Sequence, residues 1–188
     1  MRVISGSARG LKLAAPEGLD TRPTTDRVKE SVFNIISRYM PVGSVLDLFA
    51  GSGALGIEAL SRACSRAVFV ENNPAALGII KRNTEAARVA ERSEIVRGDA
   101  AAYLAGGFER FDIIFLDPPY STGLLSRALA DIHKYRRLSD GGIIVAETDF
   151  GGEEPNDENF ETVKKAKYGK TLVFVLRRTG VEPDMPCN

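Results

Sequence analysis

The stretch Val45-Leu46-Asp47-Leu48-Phe49-Ala50-Gly51-Ser52-Gly53-Ala54-Leu55-Gly56 decides how this chain folds. It opens with an apolar run, passes one acid, crosses glycines and enters a helical pattern. A run without polar alternation reads as a strand covered on both faces, as in a parallel sheet. A glycine-rich turn between such a strand and a helix leaves backbone N–H groups unpaired at the helix start. It also lets a ligand press directly on the backbone. A small nucleoside-bearing molecule is expected at this edge. The plainer alternative is a tight turn that packs closely and binds nothing.

Two ligand classes suit the turn. Gly51-x-Gly53-x-x-Gly56 fits the dinucleotide fingerprint, and Glu71 follows about 20 residues on, as that fingerprint requires. Asp47 argues for a different ligand. An acid at the end of the first strand would repel a pyrophosphate, but it suits the ammonium and sulfonium charges of S-adenosylmethionine (SAM). Asp47-Leu48-Phe49-Ala50-Gly51-Ser52-Gly53 resembles the first motif of Rossmann-like methyltransferases.

With 188 residues, 44% of them hydrophobic, the chain can bury one three-layer core with a small appendage. Lys plus Arg and Asp plus Glu each number 25, so net charge points to no partner. Its distribution is more informative. Arg2, Arg9, Lys12, Arg22, Arg27, Lys29 and Arg38 crowd residues 1–40, whereas residues 147–161 hold seven acids and no base. A basic contact face with an acidic back would explain this, as would solvated loops of unequal sign. Cys64 and Cys187 are too few and too far apart for a disulfide framework or a zinc site. The N-terminus lacks a signal-peptide pattern, and no apolar stretch is long enough to span a membrane. A reducing, cytoplasmic setting is expected.

Along the chain, Arg2–Ser5 and Leu11–Leu13 read as a small hairpin around a basic tip, followed by a polar loop through Arg22 and Pro23. A helix is expected from about Asp26 to Met40, capped by Thr24 or Thr25. Its apolar face would be Val28, Val32, Phe33, Ile35 and Ile36, with Arg27 and Lys29 pointing elsewhere. Strand one is expected over 44–49, and a helix over Ala54–Arg62. Strand two is Arg66–Glu71, followed by a helix over Pro74–Ala87 with Asn73 as its N-cap. Strand three, Ser93–Arg97, leads to a short helix ending near Leu104. Strand four is Phe111–Leu116, a helix covers 122–137, and strand five is Gly142–Glu147. Segments 160–168 and 170–177 read as two closing strands joined at Gly169, and the tail 179–188 as disordered. The alternation implies an α/β fold with a doubly wound, mostly parallel sheet.

Ligands of such sheets bind beyond the carboxyl ends of the strands. Asp47, Glu71, Asp99 and Asp117 all stand at that edge. Asp47 would face the charged methionine end. Glu71, with two acceptor oxygens, would take both ribose hydroxyls. Asp99 would accept from the adenine amine, with Asn72 and Ala100 flanking the ring. Asp117-Pro118-Pro119-Tyr120 is a stiff corner, since each proline fixes φ and removes a donor. It presents the Asp117 carboxylate and the Pro118 carbonyl as acceptors, with Tyr120 ready to stack on a ring. A planar base bearing an exocyclic amine would fit, its nitrogen aligned for in-line attack on a methyl group. His133 is expected on a helix surface, without a catalytic role.

Asp-Pro-Pro-Tyr resembles the motif of amino-methyltransferases acting on nucleobases or glutamine amides. With Arg2-Val3-Ile4-Ser5-Gly6, the segment from Arg22-Pro23-Thr24-Thr25-Asp26-Arg27 to Ile35, and the glycine-turn motif, the chain resembles the bacterial 16S ribosomal RNA guanine-N2 methyltransferase family, the RsmD type, over residues 1 to about 178. The resemblance implies a seven-stranded Rossmann-like sheet of order 3-2-1-4-5-7-6 with strand seven antiparallel. It implies SAM as methyl donor and S-adenosylhomocysteine as product. A guanine 2-amino group in 16S rRNA, free or in an assembling 30S particle, would be the acceptor. Asp117, Pro118, Pro119 and Tyr120 would be catalytic. Asp47, Phe49, Ala50, Gly51, Ser52, Gly53, Glu71, Asn72, Asp99 and Ala100 would bind the cofactor, and Arg9, Lys12, Arg22 and Arg27 the RNA. Asn72 departs from the charged residue expected at its position. Residues 1–20 would form a hairpin extension and 21–178 the methyltransferase domain of a monomer needing no metal. Other acceptors (DNA adenine, protein glutamine), a non-catalytic assembly factor and a nicotinamide enzyme are the competing readings.

Overall fold

The structure, a computed structural model, describes residues 1–15, 26–119 and 123–180. Seven strands form one sheet in the order β3-β2-β1-β4-β5-β7-β6, where β1 is Ser44–Asp47, β2 Arg66–Glu71, β3 Ser93–Arg97, β4 Phe111–Leu116, β5 Leu138–Asp149, β6 Phe160–Tyr168 and β7 Thr171–Arg178. The first five run parallel, and β7 lies antiparallel between β5 and β6. This is the sheet order that the family resemblance implies.

Two-residue alternation along the strands sends side chains to two cores. Val45, Phe69, Phe115 and Val145 pack with α1 (Asp26–Ile35), α2 (Ala54–Ser61) and α3 (Pro74–Ala86). Leu46, Val70, Leu116 and Ala146 pack with α4 (Ala100–Ala105) and α5 (Leu124–Lys134). Helices on both faces explain why β1, β2 and β4 read as nearly unbroken apolar runs. α3 begins as its sequence indicates, with Asn73 accepting from the Ala75 N–H at 2.9 Å and Pro74 at the first helical position.

Several boundaries differ from expectation. α1 stops at Ile35 and is followed by a single 3₁₀ turn, Ser37–Tyr39. Ser37 Oγ donates to the Asn34 carbonyl at 2.9 Å, competing with the helix ladder, and Pro41 forces Met40 into an extended conformation. β1 ends at Asp47 rather than at 49, because the chain turns at once into the glycine bend. β5 runs from Leu138 to Asp149, longer than the six residues expected. Its start pairs with Phe111 through an irregular register, and its end is prolonged by antiparallel pairing with Leu172 and Thr171. α5 ends at Lys134, two residues before Arg136 adopts a left-handed φ of 52°. The expected caps Thr24 and Thr25 and residues 181–188 of the tail lie outside the described residues.

The N-terminal hairpin is present. Arg2 and Lys12 form an antiparallel bridge, and Val3 and Leu13 point into the core. No helix among the described residues is long and apolar enough to cross a membrane.

Candidate active site

The strand registers carve a notch in the sheet edge. Asp47, the last residue of β1, is level with Phe69 on β2 and Phe115 on β4. Glu71 and Asp117 lie two residues further along those neighbours. At about 3.3 Å per residue, Asp47 sits roughly 7 Å below them, at the floor of a gap between two taller strands. By alternation from Val45, Phe69 and Phe115, all three carboxylates belong to the face covered by α1–α3. Connections diverge on either side of β1, which is where open α/β sheets bind ligands.

Asp47 is 3% exposed, and its Oδ2 accepts the Gly56 N–H at 3.0 Å. Burial pushes its carboxyl up to about 8, and the charges of Asp117 and Glu71 add to the rise against the Gly56 hydrogen bond. Glu71 is held by the backbone: Oε2 accepts the Gly51 N–H and Oε1 the Asn73 N–H, each at 2.8 Å. Those two bonds fix the carboxylate plane at the mouth and leave each oxygen a second lone pair. Asp99 is exposed and caps α4, its Oδ1 accepting from Ala101 and Ala102 at 2.9 and 3.2 Å. Asn72 is exposed and Ala100 half-buried, at the tips of β2 and α4.

The glycines divide the work of the turn. Gly51 adopts φ +54°, and among the described residues nothing lies within 4 Å of where its Cβ would be. That side of the turn is an open cradle. A Cβ on Gly56 would instead meet the Phe69 ring at 2.3 Å, so this glycine serves helix–sheet packing. Ser52 lies between Gly51 and Gly53 on the same turn, while Phe49 is half-buried and Ala50 donates to the Val70 carbonyl at 3.1 Å.

Directly past β4, Asp117 is half-buried, Pro118 buried and Pro119 exposed. Tyr120 lies outside the described residues. Leu116 pairs with Ala146, so the next residue of β5, Glu147, stands one strand over from Asp117. Glu147 is buried and shares the face of Asp47 and Asp117 by alternation from Val145. Sequence reasoning assigned it only to the end of strand five; its position matches that of the other strand-end acids.

Over residues 1–177 the chain matches the family described as Conserved hypothetical protein 95. It belongs to this family. It is 43% identical over 184 residues to YlbH of Bacillus subtilis (strain 168), covering 96% of this chain and 100% of that one. It is 36% identical over 149 residues to Ribosomal RNA small subunit methyltransferase D of Escherichia coli (strain K12), covering 79% and 75%. The solved structure of yhhF from Escherichia coli matches with a TM-score of 0.84 at 33% identity, covering 95% of this chain and 97% of that one. The family is therefore the RsmD type to which the sequence motifs pointed.

In this RsmD-type chain the residues present suit SAM, the methyl donor of the family. A floor carboxylate driven up by burial and by two other anions is one that a cationic ligand would stabilise in its charged form. Glu71 is oriented as a fixed pair of acceptors, and the open side of Gly51 admits close backbone approach. Among the described residues, no group of three or more His, Cys, Asp or Glu side chains is placed to hold a metal ion.

The N-terminal segment differs from its sequence reading in one important respect. Lys29 is fully buried, with Nζ 3.2 Å from Glu58 Oε2 and donating to the Arg2 carbonyl at 2.6 Å. It lies on the helix face of Val32, Phe33 and Ile36, so it cannot reach RNA. Arg27, Arg9 and Lys12 are exposed, and Arg22 lies outside the described residues. The hairpin tip rests on the last turn of α2, where Ser7 and Ala8 donate to the Ser61 carbonyl and Oγ at 2.9 and 3.0 Å. That is roughly 10 Å along the helix from the glycine turn. Arg9 thus flanks the far end of α2 and not the mouth. His133 is exposed, edge-on to Phe160, near the end of α5.

Proposed function

We propose that this chain methylates the exocyclic N2 amine of a guanine in 16S ribosomal RNA, in the cytoplasm, during small-subunit maturation. The observation that carries the reading is the Asp117-Pro118-Pro119 corner beside the Asp47–Glu71 notch, in a chain of the RsmD type. SAM, when bound, supplies an electrophilic methyl group on a sulfonium.

The chain's own residues then have distinct tasks. Asp47 and Glu71 hold the donor's cationic and ribose ends. The Asp117 carboxylate and the Pro118 carbonyl accept the two amine N–H bonds and fix the nitrogen for in-line attack. Orientation of this kind lowers a barrier by as much as about 7–11 kcal/mol. Asp117 also offsets the positive charge that grows on the nitrogen. The extra proton leaves to water, so no side-chain base is required. Tyr120 would stack on the base. Arg9, Lys12, Arg22 and Arg27 would contact phosphates, a type of contact that positions RNA without reading its sequence.

Methyl transfer from labelled SAM to 30S particles and to free 16S rRNA, followed by mapping of the modified nucleotide, tests the reading. Asp117→Ala is expected to abolish transfer while retaining SAM binding. Full activity in that variant would remove the mechanism. Label appearing on DNA adenine or on protein glutamine would replace the acceptor, and RNA binding without any labelled product would indicate an assembly factor.

A further inference from the structure

A buried carboxamide joins the N-terminal arm to the glycine turn. Asn83, on α3, is 3% exposed. Its Oδ1 accepts the Ala14 N–H at 2.8 Å, and its Nδ2 donates to the Ala14 carbonyl at 3.0 Å and to the Ser52 carbonyl at 2.9 Å. The amide orientation is fixed by its partners. Exchanging O and N would set an NH₂ group against a backbone N–H and an oxygen against two carbonyls. The bonds to Ala14 copy the two-bond exchange of an antiparallel strand pair. Both amide hydrogens are used, one on each segment.

The two segments joined are the ones that matter for function. Ser52 lies between Gly51 and Gly53, and the Gly51 N–H is held by Glu71. Glu71 also holds the Asn73 N–H at the start of α3. The glycine turn is therefore tied to α3 at two points, by Glu71 near its first turn and by Asn83 two turns on. Ala14 lies two residues beyond Lys12, on the hairpin that also carries Arg9. We infer that Asn83 is a positioning residue that couples cofactor binding at the glycine turn to RNA held by the N-terminal arm; this rests on the RNA-binding reading above. RNA that draws on the arm steadies Ser52 through Asn83, and an ordered turn steadies Ala14 in return. Linkage requires each ligand to tighten the other by the same factor.

The full-length chain is titrated with S-adenosylhomocysteine by calorimetry, with and without saturating 16S rRNA. In the wild type the dissociation constant is expected to fall at least about fivefold when RNA is present, the lower end of ordinary coupling. Asn83→Ala removes all three bonds, and Asn83→Asp keeps the acceptor for Ala14 but loses both donors. In each, the factor is expected to fall below about twofold. Ser61→Ala loosens the hairpin on α2 without touching the glycine turn and should keep the wild-type factor. Wild-type coupling in both Asn83 variants would overturn the inference, as would equal loss in Ser61→Ala, which would mark Asn83 as one anchor among several. If either Asn83 variant fails to fold, the other decides. A wild type that binds RNA without coupling defeats this inference alone, whereas one that binds no RNA defeats the functional reading beneath it.

Discussion

Asp47 and Gly56 are joined across the first strand-to-helix turn by an N–H···O bond of 3.0 Å, the backbone support of a buried carboxyl raised to about 8 from an ordinary 3.8. The folded state therefore holds a proton that the unfolded state releases as pH rises through about 4. With respect to this group, stability is greatest below about 4 and falls as pH rises to about 8. A cationic ligand reverses the preference and expels the proton. Affinity for S-adenosylhomocysteine, which carries an ammonium group, is expected to tighten between pH 5 and 8, by up to about tenfold per unit. Calorimetry in two buffers of different ionisation enthalpy would register the released proton. Asp47→Asn keeps an acceptor for Gly56 and should bind more weakly, with no such slope. An unchanged slope in that variant would assign the proton elsewhere.

Glu71 has a narrower tolerance. Each oxygen already faces a backbone N–H, so Glu71→Gln must turn an NH₂ group toward either Gly51 or Asn73. The turned NH₂ group also leaves one ribose hydroxyl without its carboxylate acceptor, and losing one such charge-assisted bond to the ligand costs about 1.5–3 kcal/mol, or roughly 10- to 150-fold in affinity. The loss should appear in the dissociation constant for SAM while RNA binding is retained. Equal SAM affinity in wild type and variant would show that this carboxylate is only a brace for the turn.

The two glycines should separate stability from binding. Gly56→Ala drives a methyl into the fully buried Phe69 ring and is expected to cost about 1–3 kcal/mol in urea unfolding. Gly51→Ala meets no neighbour among the described residues but must hold φ +54°, a left-handed strain of about 1–2 kcal/mol. Its methyl occupies the side where the cofactor would lie against the backbone. SAM affinity should therefore fall more in Gly51→Ala than its stability loss suggests. A Gly51→Ala protein with normal affinity would remove the turn from the binding surface.

Much of this architecture was legible because it is written locally. Unbroken apolar strands, an Asn-Pro helix start and acids at successive strand ends each follow from neighbouring residues. The full extent of β5 was not, since Leu138 and Asp149 join the sheet through pairing with distant Phe111 and Thr171. Buried Lys29 left a trace that charge alone hid: positions 29, 32, 33 and 36 have the spacing of one helix face, and Glu58 is the one charged residue in α2. Asn83 left none, because its partners, Ala14 and Ser52, are 69 and 31 residues away. Glu147 carried the same strand-end signature as Asp117 and became visible as a neighbour only through the register.

The buried pair Lys29–Glu58 should respond asymmetrically to mutation. Glu58 accepts from Lys29 Nζ at 3.2 Å, Arg62 Nε at 2.8 Å, the Ile4 N–H at 2.8 Å and the Ser5 N–H at 3.0 Å. Among the described residues Lys29 has fewer partners, Glu58 and the Arg2 carbonyl, and burial pushes its ammonium below the usual lysine range against the pull of Glu58. Removing Glu58 strands a buried cation and frees two hairpin donors. Glu58→Leu is expected to cost at least about 3–5 kcal/mol. Lys29→Met leaves Glu58 three donors, including the Arg62 guanidinium, and should cost less. Urea midpoints for the two variants, with m-values checked for constancy, provide the comparison. A larger loss for Lys29→Met would mean that the arm is held by the Arg2 carbonyl contact rather than by the carboxylate, reversing the order of dependence between α1 and α2.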